Sequence, residues 1–374
     1  MDNSRPTWAE IDLAAIRHNL SSIRQRAGRA RVMAVVKANA YGHGMLEVSR
    51  VCRQEGVDFF GVASLEEALQ LRQDGVSCPV LVLGYVAEEY AAVMVREEIR
   101  PCIFSLHSAR AYSEAAVQQG KTAYLHVKVD TGMGRLGFLP EEKSVKEILA
   151  IHRLPGVEVE GIFTHFAEAD TDDAEFTLGQ LKSFTNVGEK LQSQGVSIPL
   201  RHAANSAALM NYPPAHLDLV RAGIILYGLY PSPSIPGKDL DLLPAMTLKS
   251  RLGFVKTLPA GHPISYGRTY TCQRDTRVAT VPIGYADGYS RLLSNQAWAT
   301  VKGAKISLIG NVCMDQCMFD VSRVEEAQTG DEIILFGRQE DGITVDDLAE
   351  IMGTINYEVV CSIGSRVPRI YVFR

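Results

Sequence analysis

The sequence has little of several features that mark special classes of protein. Its 374 residues include only two tryptophans and seven cysteines, an odd number spread from Cys52 to Cys361. A small secreted protein held by disulfides needs closely spaced, paired cysteines, so that class is excluded. Three residues separate Cys313 from Cys317, and no nearby histidine or second cysteine pair completes a zinc site. We therefore expect reduced cysteines and no metal.

Long hydrophobic runs and an excess of one charge are also missing. No segment approaches the about 20 apolar residues that span a bilayer, and the N-terminal MDNSRPTWAEIDL lacks the apolar core of a signal peptide. A net charge of −5 provides no strong basic face for nucleic acid. We expect a cytoplasmic protein with a large core that binds neither membrane nor nucleic acid.

What is present is an alternation of short apolar segments and longer amphipathic ones. The eight candidate strands, most of them rich in valine and isoleucine, are 32–38, 59–63, 79–84, 100–104, 123–130, 157–166, 199–206 and 217–226. Helical patterns fill most gaps, such as 177–195 and 64–75, the latter opening with a capping box at Ser64 and Glu67. Eight βα repeats predict an α/β fold with an N-terminal (β/α)8 barrel of the TIM type.

The segments on either side of the eight repeats differ from that alternation. Residues 9–28 have apolar side chains at helical spacing and predict a helix that stops at Gly28. Residues 231–244 carry several prolines, which is typical of a linker.

Beyond the linker, the pattern is mainly β. Short β-type runs follow at 277–285, 305–314 and 331–337, and one clear helix follows at 344–353. A single barrel takes roughly 250 residues, so the surplus predicts a second domain. We predict a barrel over 1–240 and a mainly β domain over 241–374, with residues 1–10 as candidates to pack with the latter.

Barrel enzymes carry their sites at the carboxyl ends of the strands, and this rule first selects Lys37. The lysine directly follows an apolar strand, where its charge must be paired or removed. One solution is a Schiff base with an aldehyde, and the alternative is a lysine that extends to the strand end.

The same rule selects one residue after each of the last four strands. Arg135 lies in a glycine-rich loop and could bind an anion, and His165 ends the sixth strand. Ser206 and Gly223 follow the seventh and eighth strands, where such barrels bind phosphate. A lysine opposite a phosphate site favours pyridoxal 5'-phosphate (PLP), with Arg221 as the candidate partner of its ring nitrogen.

Motifs along nearly the whole chain resemble alanine racemase, a family of fold-type III PLP enzymes. In the barrel they are AVVKANAYGHG (34–44), VDTGMGRLGF (129–138), THFAEAD (164–170), HAANSAA (202–208) and VRAGIILYG (220–228). In the second domain they are ISYGRTY (264–270), PIGYADGY (282–289), NVCMDQ (311–316) and INYEV (355–359). Two positions depart from the family pattern: Asn311 replaces a common Arg, which affects the charge of the substrate corridor, and Gly364 replaces a common Ser.

The resemblance implies racemisation of L- and D-alanine by two bases, Lys37 and Tyr266, on opposite faces of the substrate. It implies supporting roles for His165, Arg221, Arg135, Asp315 and Tyr285. It further implies cofactor contacts from Lys37, Tyr41, Arg135, His165, Asn205, Ser206, Arg221, Gly223, Ile224 and Tyr357, and contacts with the substrate carboxylate from Arg135 and Met314.

The resemblance also implies a homodimer in which each active site uses both subunits. Lys128 matches a position that is carbamylated in many members, and the alternative is a plain strand lysine. The expected product, D-alanine, is a peptidoglycan precursor, although the residues leave open a biosynthetic or a catabolic role.

Three other functions compete with this one. A racemase of the same fold acting on serine, lysine or several amino acids would share the cofactor residues. A fold-type III decarboxylase would have different motifs around the bases. A single-barrel PLP carrier would lack the second domain, so the ISYG, CMDQ and INYEV segments disfavour it.

Overall fold

A computed structural model describes residues 5–171, 173–233, 235 and 239–374. All eight predicted barrel strands are present: β2 Arg31–Val35, β3 Phe59–Val62, β4 Val80–Val82, β5 Ile99–Ile103, β6 Ala123–Lys128, β7 Val157–Phe163, β8 Leu200–His202 and β9 Leu219–Ala222. The helices of this part are α1 Leu13–Ala27, α2 Lys37–Tyr41, α3 Met45–Gln54, α4 Leu65–Gln73, α5 Ala91–Arg96, α6 Leu106–Gln119, α7 Glu142–His152, α8 Glu175–Ser193 and α9 Ser206–Asn211. The predicted (β/α)8 barrel is confirmed.

The barrel strands form one parallel sheet in the order β8-β7-β6-β5-β4-β3-β2-β9. Two backbone hydrogen bonds bring its ends together, from Asp218 N to Arg201 O and from Arg221 N to Ala204 O, each 3.1 Å. The barrel is therefore nearly closed, and the carboxyl ends of all eight strands surround one opening.

The C-terminal part is mainly β, as predicted. It contains β10 Met246–Arg251, β11 Phe254–Leu258, β12 Pro263–Ile264, β13 Tyr270–Thr271, β14 Thr276–Val281, β15 Trp298–Val301, β16 Ala304–Leu308, β17 Cys317–Asp320, β18 Glu332–Phe336 and β19 Arg369–Val372, with helices α10 Val345–Met352 and α11 Asn356–Ser362. The N-terminal strand β1, Trp8–Asp12, joins eight of these strands in one nine-stranded sheet, in the order β11-β14-β17-β16-β15-β18-β10-β1-β19. The division of the chain at residue 240 stays a prediction.

The helix predicted over residues 9–28 starts later than expected. Residues 9–12 belong to β1, which pairs antiparallel with β10 and parallel with β19. The side chain of Asp12 then caps α1 by accepting hydrogen bonds from Ala14 N and Ala15 N. The prediction was wrong here because partners more than 200 residues away decide the strand, and the local apolar spacing suits either structure.

The capping box predicted at Ser64 and Glu67 forms only in part. Ser64 Oγ accepts a hydrogen bond from Glu67 N at 3.4 Å, as an N-cap should. The Glu67 carboxylate instead accepts from Ala63 N (2.8 Å) and Ala38 N (2.6 Å). Glu67 thus ties the start of α4 to the α2 turn.

The α2 turn is left-handed. Ala38, Asn39, Ala40 and Tyr41 all have φ between 51° and 54°, a conformation that costs a non-glycine residue about 1–2 kcal/mol. Local hydrogen bonds hold it, among them Ala40 N to Val36 O (2.8 Å) and Met45 N to the Asn39 side chain (2.9 Å). Strain of this kind concentrates at functional sites, and this turn directly follows Lys37.

Two further observations concern the linker and membranes. The described residues of 231–244 form no helix or strand, while 234 and 236–238 lie outside the described residues. Among the helices that the structure describes, none combines the length and the apolar character needed to span a bilayer.

Candidate active site

A cavity of about 480 Å³ opens at the carboxyl ends of the barrel strands. Of the residues predicted from the sequence, the cavity is lined by Lys37, Tyr41, Lys128, Arg135, His165, Asn205, Ser206, Arg221, Gly223 and Tyr357. All of them except Lys128 lie in six of the sequence motifs, five from the barrel and one, INYEV, from the second domain. The fold therefore gathers most of the expected cofactor residues in one place.

Lys37 follows β2 at the wall of this cavity. Burial, together with the nearby Arg135 charge, lowers the pKa of its amine below the ordinary 10.5. Both effects disfavour the ammonium form. Lys37 is therefore suited to react or act as an unprotonated amine.

Three groups form a small cradle in the wall of the same cavity. Ser206 Oγ accepts a hydrogen bond from Gly223 N at 2.9 Å. A Cβ placed on Gly223 would lie only 2.8 Å from Tyr41 Oη and 3.4 Å from Ser206 Oγ. A glycine at this position thus keeps two hydroxyls and a backbone N–H around a space that a larger residue would fill.

Aromatic rings and a helix cap border the cradle. The rings of Tyr41 and Tyr357 lie 6.1 Å apart, centroid to centroid. Asn205 caps α9 by accepting a hydrogen bond from Ala208 N at 3.0 Å. Ile224 is fully buried behind Gly223 and does not line the cavity.

Arg221, on β9, is 3% exposed and held from several directions. Nη1 donates to the carbonyl oxygen and to Nδ1 of His202, both at 3.0 Å. Nη2 donates to Thr164 O and Ala203 O, each at 2.8 Å, and lies 3.3 Å from Nδ1 of His165. Burial lowers the pKa of Arg221 to about 9, so it remains a cation at neutral pH.

The Arg221 contact fixes the proton on His165. Both Nη2 hydrogens are directed to Thr164 O and Ala203 O, but the cation 3.3 Å from Nδ1 of His165 disfavours a hydrogen on that nitrogen, so Nε2 carries it. Burial first, and then the charges of Arg221 and Arg135, keep the pKa of His165 well below its ordinary range. His165 is thus a neutral imidazole whose Nε2–H can donate.

The glycine-rich loop after β6 is ordered around Asp130. Its carboxylate accepts hydrogen bonds from the backbone N–H groups of Gly132, Gly134 and Arg135 at 2.9–3.0 Å. A Cβ on Gly137, where φ is +135°, would lie 2.5 Å from Asp130 N. The loop that carries Arg135 is therefore a specific structure built around a carboxylate.

Lys128 precedes that loop and is 2% exposed. Its Nζ lies 5.3 Å from the centre of the Phe163 ring. Burial is the main cause that lowers its pKa to about 8, and the charges of Arg135 and Arg221 act in the same direction. About a tenth of this lysine is therefore a neutral amine at pH 7, far more than for a lysine with the ordinary pKa.

Four predicted residues lie outside this cavity, on the C-terminal part. Tyr266, Met314 and Tyr285 are exposed by 71%, 53% and 43%, respectively. Asp315 accepts a hydrogen bond from Arg366 at 2.7 Å. Within one chain, these residues form a separate exposed surface, and Lys37 and Tyr266 do not line the same cavity.

The sequence reasoning missed some residues around the cavity. Cys361 lines it, and burial raises the pKa of its thiol. The aromatic ring of Phe163 lines it too, stacked on His202 with centroids 4.7 Å apart. Glu67 supports the turn after Lys37 through Ala38 N. Only Glu67 carried a signal, and that signal indicated a helix cap.

The fold and the cavity together define a class: a two-domain barrel enzyme with a half-buried lysine and an anion cradle in one cavity. The chain matches the alanine racemase N-terminal domain over residues 11–231 and the alanine racemase C-terminal domain over residues 245–371.

Similar proteins extend the match over the whole chain. An alanine racemase of Clostridium perfringens strain SM101 is 48% identical, covering 98% of this chain and 95% of that relative. An alanine racemase of Methanococcus maripaludis is 47% identical over 99% of each. Among solved structures, the alanine racemase of Clostridium difficile 630 has a TM-score of 0.96 at 42% identity, covering 100% of this chain and 97% of that one. The chain belongs to the alanine racemase family and is an isomerase, as the resemblance implied.

Proposed function

We propose that this enzyme interconverts L- and D-alanine, with PLP bound through Lys37 and with Lys37 and Tyr266 as the two bases. The observation that carries the proposal is the cavity, in which a half-buried lysine, a buried arginine and an anion cradle face one space. The relatives named as alanine racemases support alanine as the substrate. One solved relative, from Clostridium difficile, is described in complex with cycloserine.

The residues present fit PLP. The cradle of Tyr41, Ser206 and Gly223 has the hydroxyl and N–H donors that a phosphate requires, with Tyr357 beside it. Asn205 and Ile224 support the same region. Arg221 has its two terminal nitrogens engaged, so its Nε–H remains to donate to the ring nitrogen.

When bound, PLP supplies an aldehyde that bonds to amines and a ring that withdraws electrons from the substrate Cα–H bond. Arginine does not give up its proton, so Arg221 would leave the ring nitrogen uncharged. Electron withdrawal is then weaker than with a protonated ring. Such a site favours proton exchange over reactions that need a long-lived carbanion.

Racemisation removes a proton from one face of Cα and returns one to the other, so two bases are expected. Lys37, whose amine has a lowered pKa, serves the D-enantiomer. Tyr266 of the partner subunit serves the L-enantiomer, and the Nε2–H of His165 would donate to its oxygen once the two subunits assemble. Arg135 and the Met314 backbone N–H hold the substrate carboxylate, with Asp315 and Tyr285 in support.

Because Lys37 and Tyr266 do not share a cavity within one chain, we infer a homodimer in which each subunit completes the other's site. The exposure of Tyr266, Met314 and Tyr285 supports this assignment, since side chains that bind substrate need walls around them. An exposed cluster of this kind on the second domain is the surface that the partner's cavity would cover.

Lys128 is proposed to be carbamylated. Carbamylation requires the neutral amine, and a pKa of about 8 provides it. The resulting anion would lie near Arg135 and Arg221, whose charges already act on Lys128. It would orient Arg135 toward the substrate carboxylate.

The experiment is a chiral assay of the purified holoenzyme with a panel of L- and D-amino acids. Alanine should racemise at least about tenfold faster, by kcat/KM, than serine or lysine, because one missing or added group is worth about 1–3 kcal/mol in a fitted pocket. Equal or faster turnover of serine or lysine would favour the broader racemase. Carbon dioxide release from basic amino acids would favour the decarboxylase.

We further propose that the enzyme is cytoplasmic and supplies D-alanine for peptidoglycan.

A further inference from the structure

A chain of buried polar side chains leads from Arg221 into the barrel. Arg221 Nη1 lies 3.0 Å from Nδ1 of His202, and the other ring nitrogen of His202, Nε2, lies 2.9 Å from Nδ1 of His126. Nε2 of His126 lies 3.1 Å from the Glu160 carboxylate. Arg100 forms an ion pair with the same carboxylate at 3.0 Å. These five side chains belong to strands β9, β8, β6, β7 and β5, in that order.

The surrounding residues are shaped to hold this chain. His126 and His202 are fully buried. A Cβ on Gly161 would lie 2.3 Å from Nδ1 of His126, so glycine makes the room for that ring. A β-bulge lies at Leu125 and His126 in the pairing of β6 with β7. Phe163 stacks on His202 within 5° of parallel.

The donors and acceptors of this chain have only one consistent arrangement. The Arg221 guanidinium cannot accept, so Nδ1 of His202 carries no hydrogen and its Nε2 carries one. That Nε2–H donates to Nδ1 of His126, whose hydrogen is therefore on Nε2. The Nε2–H of His126 donates to Glu160, which can only accept when ionised.

We propose that Glu160 and His126 are positioning residues for Arg221: the carboxylate fixes the tautomers of both histidines, so that His202 presents an unprotonated nitrogen to the guanidinium. The order of effects runs from Glu160 outward. The ion pair with Arg100 keeps Glu160 anionic, Glu160 sets His126, His126 sets His202, and His202 orients Arg221 at the cavity wall. The inference rests on the proposed role of Arg221 as the ring-nitrogen partner.

The electrostatics agree with this arrangement. The pKa of Glu160 is lowered to about 2: burial alone would raise it, but the hydrogen bonds and charges of His126 and Arg100 outweigh that effect. Burial, followed by neighbouring cationic groups, lowers the pKa of His202 well below its usual range, and burial likewise lowers that of His126. Both imidazoles are thus neutral at pH 7, as the hydrogen-bond directions require.

The test compares Glu160→Gln with Glu158→Gln in the holoenzyme. Both remove one negative charge from β7, but Glu158 is exposed. A glutamine at 160 can either accept from or donate to His126, so this end no longer fixes the tautomers, and only the Arg221 guanidinium at the other end still opposes the reversed arrangement. ¹⁵N NMR of histidine-labelled protein reports the tautomer directly, and single His→Asn variants assign the signals.

In the parent and in Glu158→Gln, we expect His126 and His202 to carry their hydrogen on Nε2. In Glu160→Gln, we expect mixed tautomers and a fall in kcat/KM for alanine of about 10- to 100-fold, the range seen when outer partners of functional histidines are removed. Glu160→Asp, which keeps the carboxylate, should restore the tautomers and most of the activity.

Three results would overturn the proposal. One is the finding that His202 carries its hydrogen on Nδ1 in the parent holoenzyme, a measurement that does not depend on the folding of any variant. The others are Glu160→Gln with parental tautomers, or with mixed tautomers and parental kcat/KM. The role of Arg221 is checked separately with Arg221→Lys. If this variant has the kinetics of the parent, while the parent itself shows the expected histidine tautomers, the proposed role of Arg221 is refuted and the tautomer assignment stands.

Discussion

Asn311 Nδ2 donates a hydrogen bond to the backbone carbonyl oxygen of Tyr266 at 2.7 Å. In return, Ser265 Oγ donates to Asn311 O at 2.6 Å. Ser265 itself has a positive φ of +66°. The two bonds hold the exposed turn that carries Tyr266. Asn311, which differs from the common family residue, thus has a structural partner in the proposed second base.

Asn311→Asp should lower kcat for alanine about two- to tenfold, because it replaces an amide N–H by a carboxylate facing a carbonyl, and one hydrogen bond contributes about 0.5–1.5 kcal/mol. The measurement is the primary isotope effect with α-deuterated L- and D-alanine. It should rise for the L-enantiomer, whose proton Tyr266 removes, and not for the D-enantiomer.

Asn311→Arg is the matched control, since arginine keeps N–H donors and is common in the family at this position. We expect its isotope effects to stay near those of the parent. An equal change of both isotope effects in Asn311→Asp would contradict a role through Tyr266.

Gly223→Ala should weaken cofactor binding. The added methyl would lie 2.8 Å from Tyr41 Oη and enter the cradle, closer than nonbonded atoms approach. We expect the dissociation constant of PLP, measured by equilibrium dialysis, to rise by at least about tenfold, a change of about 1.4 kcal/mol. Gly179→Ala, in α8 with no atoms within 4 Å of the new methyl, serves as control. Unchanged PLP affinity in Gly223→Ala would refute the cradle.

Carbamylation of Lys128 should increase with pH. With a pKa of about 8, about a tenth of the side chain is neutral at pH 7 and about nine tenths at pH 9. Protein incubated with ¹³C-bicarbonate should therefore show a carbamate NMR signal that grows over this range and disappears in Lys128→Met. A signal of equal size in Lys128→Met would assign the carbamate elsewhere.

Mixing Lys37→Ala and Tyr266→Ala chains should restore activity if sites are shared between subunits. Each hybrid dimer would contain one site with both bases intact. After denaturation and refolding of an equal mixture, we expect about a quarter of the parental activity, since half of the dimers are hybrid and each has one good site. Two differently tagged chains confirm that hybrids form. Confirmed hybrids without activity would contradict shared sites.

The barrel strands could be predicted from sequence because each is a short apolar run with a local boundary. The strand at residues 9–12 could not, since its partners at 246–249 and 369–372 come from the far end of the chain. The left-handed turn at Ala38–Tyr41 was also invisible, as none of its four residues is glycine. Part of its support comes from Glu67, almost thirty residues later.

The cavity residues were predictable where a motif or a strand end marked them, as for Lys37, Ser206 and Arg221. His126 was not, because a single histidine within an apolar strand is usually structural. Its meaning depends on His202 and Glu160, which only the barrel brings within hydrogen-bonding distance. Asn311 was recognised as a departure, but its bond to Tyr266 required the structure.

The most direct test of the two-base assignment is the racemisation rate of alanine by Tyr266→Ala holoenzyme, followed by polarimetry from each enantiomer. The variant leaves the barrel cavity intact, so the absorbance of the bound cofactor should match that of the parent. We expect the rate to fall by about 10²- to 10⁴-fold, the usual contribution of a general acid–base group. Racemisation at the parental rate would show that Tyr266 is not one of the two bases.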